Sequence, residues 1–149
     1  MSKGFPLQPL LDLAHTRMDD AARRLGELVA SEAEGQRKLE MLQNYRDEYH
    51  ERFLQAVANG ISADAWRNFS AFIDKIDEAI AVQQRAVESS RLRTRQGQQQ
   101  WMEQRNRVKA IDTLSQRHQA AGLRLEARRE QKLADEHAAR QFTKRHSEH

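Results

Sequence analysis

Counting in sevens from Leu11 organises the first third of the chain. The a positions are Leu11, Met18, Leu25, Glu32, Leu39, Arg46 and Phe53, and the d positions run Leu7, Ala14, Ala21, Leu28, Gly35, Leu42, Tyr49 and Ala56. Most are apolar, which is the seam of a coiled coil. Glu32 and Gly35 interrupt it, so looser packing or a bend is expected there. Asp19/Arg23 and Asp20/Arg24 are acid-before-base pairs four residues apart, which suit an exposed helical face.

This helix, about residues 7–58, should end at Asn59-Gly60, because Gly or Asn just past a helix end adopts the left-handed conformation with little strain. After a turn at 59–62, Ser62 is placed to cap a second helix, with Asp64 in its first turn. The apolar spacing then runs Trp66, Phe69, Ile73, Ile76, Ile80, Gln83 and Val87. It turns polar at Ser90, Thr94 and Gly97. It resumes at Trp101, Val108, Ile111, Leu114 and Leu125, with a shift of phase expected, and fades after Leu133. The second helix is expected over about 63–140, with 141–149 a frayed tail.

At 1.5 Å per residue the two helices would be roughly 75 Å and 115 Å long. A short connection makes consecutive helices antiparallel. The predicted fold is therefore all-α: one domain over 1–149, an antiparallel coiled-coil hairpin. Its second helix should overhang the N-terminus by about 25 residues.

Composition agrees with long helices. Of 149 residues, 32% are charged and only 6% aromatic, and the two prolines, Pro6 and Pro9, stand at the N-terminus. No apolar run approaches the roughly 18–20 residues of a membrane span, and the first residues lack a signal peptide's apolar stretch. The absence of cysteine excludes disulfides and thiolate metal ligands. The expected setting is cytoplasmic and soluble. Charge is uneven: residues 1–84 carry 10 Lys+Arg against 14 Asp+Glu, and residues 85–149 carry 15 against 8. A basic C-terminal half could bind nucleic acid, an anionic membrane surface or an acidic protein, or be a solvated helix face.

Catalytic signatures are missing: no Gly-rich phosphate loop, GxSxG or HExxH occurs. The expectation is a non-enzyme with no cofactor and no metal. His146 and His149 share a helical turn without further ligands, and His118 falls on the seam as a polar interfacial residue. RLRTRQGQQQWMEQRNR (91–107) mixes Arg with Trp101, but a basic-region reader needs a continuous basic helix leaving a dimeric zipper. Gly97 interrupts the run, so nucleic-acid binding is not expected.

The turn-proximal segment carries a more specific signal. In QNYRDEYHERF (43–53) the chain's two tyrosines, Tyr45 and Tyr49, stand four apart on one helix face. Tyr49 is a d position, and Tyr45 flanks the seam. A mirror about Gly60-Ile61 sets Tyr49 opposite Phe72, Tyr45 opposite Ile76, Leu42 opposite Ala79 and Lys38 opposite Gln83. This predicts an aromatic-aliphatic stripe along one side near the turn. It is either a broadened seam that packs internally or a protein-docking face, since clustered Tyr and Phe with partial exposure favour interfaces. Each hydroxyl can stay wet while its ring packs.

DDAARRLGE (19–27), MLQNYRDEY (41–49), NGI (59–61), Trp66 and SAFIDKIDEAI (70–80) together resemble the FliJ family of the flagellar type III export apparatus. The resemblance runs from about residue 7 to 140. It implies an antiparallel hairpin similar to the γ-subunit stalk of rotary F-type ATPases. Implied partners are the hexameric export ATPase FliI, whose central hole the stalk enters and whose assembly it promotes, the export-gate protein FlhA, and export chaperones. The implied location is peripheral to the membrane-embedded gate at the flagellar base. Carried over by motif, the FlhA-facing surface falls on Leu42, Tyr45, Tyr49, Phe72, Ile76 and Ala79. Lys38 and Gln83 extend it, where the family pattern has Gln and His. The ATPase-facing part is assigned to the open end: Leu11, Arg17, Asp20, Arg23, Arg24, and on the overhang Leu125, Arg128 and Arg129. The alternative is a generic coiled-coil adaptor or export chaperone without a stalk role.

Overall fold

A computed structural model describes residues 4–147. Two helices account for nearly all of them: α1, Gln8–Asn59, and α2, Ala63–Ser147. No strand occurs among the described residues. The ends follow from the local sequence. Pro9 sits in the first turn of α1, where a missing N–H costs nothing. The Gln8 amide bonds the Phe5 carbonyl at 3.0 Å. At the other end Gly60 takes φ 84°, and its amide returns to the Val57 carbonyl at 3.1 Å. Ser62 caps α2 as expected: its hydroxyl accepts from the Ala65 amide at 3.1 Å, with Asp64 in the first turn. The expected end of α2 near 140 and the frayed tail are corrected. The helix continues to Ser147, its last turn carrying Lys144, Arg145 and His146, which complement the carbonyl end. Residues 148–149 lie outside the described part.

The chain groups into two compact units. One comprises 19–103 and contains the turn; the other comprises 1–18 with 104–149. In the turn-containing unit the two helices pack antiparallel. Its core joins Leu39, Ile76, Ile80 and Val87, with Leu42 and Tyr49 packed against them. In the terminal unit Leu11, Ala14, Val108 and Ile111 form the core, flanked by Phe5 and Met18.

Burial on α1 follows the heptads closely. Every a and d position from Leu11 to Ala56 is buried or half-buried, and of the other α1 positions only Gln36 joins them. On α2 the seam keeps a single phase. Ser115 is buried and Leu114 is 45% exposed, so the expected phase shift does not occur. Trp66 and Leu125, also expected on the seam, are exposed. A continuous helix carries its contact line forward at alternating three and four residues, and a leucine one place off that line stays in solvent. The line passes through Gln104, Ser115, His118 and Ala121. From Gly122 to Ser147 every residue is exposed, so this stretch of α2 has no partner helix.

Facing contacts in the turn-containing unit are centred on Ile61, half a residue from the expected mirror. A Cβ on Gly35 would meet Val87, and one on Gly97 would meet Leu25 and Leu28. The connection between the helices is Gly60, Ile61 and Ser62, and Ile61 is its middle residue.

Candidate partner-docking surface

The stripe near the turn is a ladder of rings. Tyr49 lies across from Phe72, with centroids 4.4 Å apart, and Tyr45 meets Phe72 edge-on at 6.2 Å. The two tyrosines are themselves 6.4 Å apart. Tyr49 also meets Phe69 at 5.4 Å. Phe53 continues the ladder to Phe69 and Trp66, at 5.5 Å and 4.9 Å. Tilted and edge contacts of this kind match the ring quadrupole. The pairing of Tyr49 with Phe72 is as expected. Tyr45 adds a contact to Phe72 that the mirror, which sets it opposite Ile76, does not foresee.

Exposure sorts the expected site residues. Tyr45 is 47% exposed and Phe72 36%, whereas Ile76 is only 6% exposed. Lys38 and Ala79 are exposed; Leu42, Tyr49 and Gln83 are half-buried. Of the expected stripe, Tyr45, Phe72, Ala79 and Lys38 are solvent-accessible, while Leu42 and Tyr49 pack against the core that contains Ile76. The Gln83 amide donates to the Gly35 carbonyl at 3.0 Å, so it is engaged across the pair of helices.

Arg46 and Asp77 close the seam beside the ladder. The Arg46 Nε donates to one carboxylate oxygen of Asp77, and Nη2 approaches the other at 3.5 Å. Both side chains are partly exposed. The hydrogen bond and charge of Asp77 hold the Arg46 guanidinium above its already high ordinary pKa. This explains an arginine at an a position. The sequence reading missed the pair and missed Phe53 and Phe69 as supports. The signals were present: Arg46 breaks an apolar register, and Phe53 and Phe69 stand on the seam.

The open-end assignments divide differently. Arg17, Asp20, Arg23 and Arg24 are exposed on α1, with Arg23 3.9 Å from Asp20. Leu125, Arg128 and Arg129 are exposed on the unpartnered stretch of α2. Leu11, expected on the same face, is 6% exposed in the core of the terminal unit, so it serves packing rather than contact. His118 is half-buried with its ring 5.6 Å from Phe5. His146 packs on Phe142 at 4.0 Å, and His149 lies outside the described residues. Among the described residues no cluster of His, Asp and Glu could hold a metal ion, and no helix is long and apolar enough to cross a membrane.

Comparison with known proteins agrees with the motifs. A flagellar FliJ protein of Salmonella typhi is 35% identical over 147 residues, covering 94% of this chain and 95% of that one. A flagellar FliJ protein of Escherichia coli K12 is 31% identical over 140 residues, with the same coverage. The structure of a putative YscO homologue from Chlamydia trachomatis matches with a TM-score of 0.68 at 21% identity, covering 90% of this chain and 91% of the other, a likeness of fold. The family described as flagellar FliJ protein matches residues 2–147. With its paired helices, its ring ladder beside the turn and these matches along nearly its whole length, the chain belongs to the flagellar FliJ protein family.

Proposed function

We propose that this chain is a non-enzymatic component of flagellar type III protein export. In this reading it acts as a stalk. The end carrying both termini enters the FliI ATPase ring and promotes its assembly, and the turn-proximal stripe docks on FlhA, coupling ATPase to gate. The place of action is the cytoplasmic face of the export gate. Export chaperones are further partners.

The observation that supports this reading most directly is the half-exposed pair Tyr45 and Phe72 in a member of the FliJ family. Here nearly half of Tyr45 stays accessible beside Phe72, the combination of ring area and wet hydroxyl that interfaces favour. The unpartnered Gly122–Ser147 stretch supports the other half of the proposal, since seven Lys and Arg against four acidic residues leave it basic and open to an acidic cavity.

Two measurements test the proposal separately. Purified chain added to FliI should raise hexamer formation and ATP hydrolysis; unchanged activity across salt concentrations sinks the stalk role. The cytoplasmic part of FlhA should bind the chain and lose affinity for Tyr45→Ala; equal binding by the variant sinks the docking assignment.

A further inference from the structure

The turn-containing unit is packed unevenly. Its turn-proximal half buries Leu39, Phe53, Ile76, Ile80 and Val87. Its other half buries no apolar side chain. Between residues 19 and 38 of α1 nothing is buried, and Ala21, Leu25, Leu28, Glu32 and Gly35 face α2 only half-covered. Between residues 88 and 103 of α2 the buried residues are Ser90 and Gly97.

Leu25 and Leu28 lie against Gly97, and polar groups add further contacts across this half. The Thr94 hydroxyl donates toward the Ser90 carbonyl at 3.0 Å and the Leu28 carbonyl at 3.4 Å. Arg91 reaches Glu32 at 3.7 Å and Gln36 at 3.5 Å across the helices, and Glu88 on its own helix at 3.1 Å. Gln83 donates to the Gly35 carbonyl. The carbonyls of Leu28, Gly35 and Ser90 also serve the helical ladder, and a second donor on such a carbonyl loosens the turn it belongs to. Water can replace each of these contacts, whereas it cannot replace a buried aliphatic layer.

We infer that residues 21–36 and 88–101 form a built-in opening segment, at which the paired helices part and admit water while the ring ladder beside the turn stays closed. Opening is local because the two halves rest on different physics: full aromatic and aliphatic burial on one side, half-covered leucines and replaceable polar contacts on the other. Its effect is to bare Leu25 and Leu28 transiently without disturbing Tyr45 and Phe72. The inference stands independently of which protein docks on the stripe.

Hydrogen exchange of the intact chain, read by mass spectrometry under native conditions, tests it. Amides of 21–36 and 88–101 should exchange at least tenfold faster than those of 39–53 and 66–83. Equal protection of the two halves overturns the inference. Glu32→Leu with Ser90→Leu puts apolar side chains at facing register positions and should slow exchange of the segment at least tenfold, leaving the turn-proximal half unchanged. Thr94→Val, which keeps the side-chain volume, should act in the same direction to a smaller extent. If both variants keep wild-type helicity and neither slows exchange, the polar layer is not the cause and the inference fails.

Discussion

Tyr49 and Phe72 meet at a tilt across the two helices with ring centroids 4.4 Å apart, and Tyr45 leans edge-on against the same Phe72 ring from one turn away. One tyrosine supports the hairpin and the other is presented by it. Tyr49 touches Tyr45, Phe69 and Phe72 and is half-buried. Truncating a fully buried aromatic costs about 3–5 kcal/mol, so Tyr49→Ala, at partial burial, should cost about 2 kcal/mol. Tyr45→Ala should cost about 1 kcal/mol or less, since nearly half of its surface is already wet. Urea unfolding followed by circular dichroism measures both. If the stripe docks on FlhA as proposed, binding should show the reverse order per unit of stability lost; a Tyr45→Ala chain that unfolds as readily as Tyr49→Ala would make the stripe a packing seam.

The Arg46–Asp77 pair should contribute modestly. Both partners are partly exposed, and ion pairs in contact with water contribute little to stability. Arg46→Met should therefore be close to neutral, because a long apolar side chain suits an a position. Asp77→Ala should cost more than Arg46→Met, since it strands a charge on the seam. A double-mutant cycle in low and high salt checks this, and a coupling that survives molar salt would contradict the exposed geometry.

Much of this was legible in the heptads. Along α1 the a and d positions from Leu11 to Ala56 coincide with the covered positions, because a helix with one partner has one contact line and the apolar residues mark it. The turn was equally legible, since Gly60 is needed at positive φ and Ser62 has the chemistry of a cap. What misled was residue type late in α2. Leu114 looked like a seam residue and Ser115 did not, yet the contact line of an unbroken helix runs through Ser115. Leu11 and Ile76 stand on the expected contact faces but lie in the core, because a resemblance transfers positions without their depth. Arg46 marks itself by breaking the apolar register, but its partner Asp77 lies two residues off the expected mirror, so the heptads alone do not name it.

The cap and the turn should show up as separate losses. Ser62→Ala removes the acceptor for the Ala65 amide and should destabilise by about 1 kcal/mol. Gly60→Ala forces a side chain to φ 84° and should also cost about 1 kcal/mol. Gly26→Ala should do the opposite. Nothing lies within 4 Å of its added Cβ and the site is an exposed helix interior, so about 0.5–1 kcal/mol of stabilisation follows from propensity alone. Denaturant midpoints of the three variants settle the signs.

Arg128 and Arg129 separate binding from folding most cleanly. They stand on the stretch of α2 that touches no other helix, and both are exposed. Replacing both by Ala removes two positive charges and no tertiary contact, so the unfolding midpoint should shift by less than about 0.5 kcal/mol equivalent, as surface changes usually do. If this stretch enters an acidic cavity of the ATPase ring, the same variant should stimulate FliI less, and the deficit should shrink as salt rises and screens the wild-type attraction. Arg128→Lys with Arg129→Lys should keep most of the stimulation where charge alone matters and lose it where a guanidinium fork is read. Full stimulation by the double Ala chain at low salt would move the ATPase contact off this stretch and leave Arg17, Arg23 and Arg24 to be tested next.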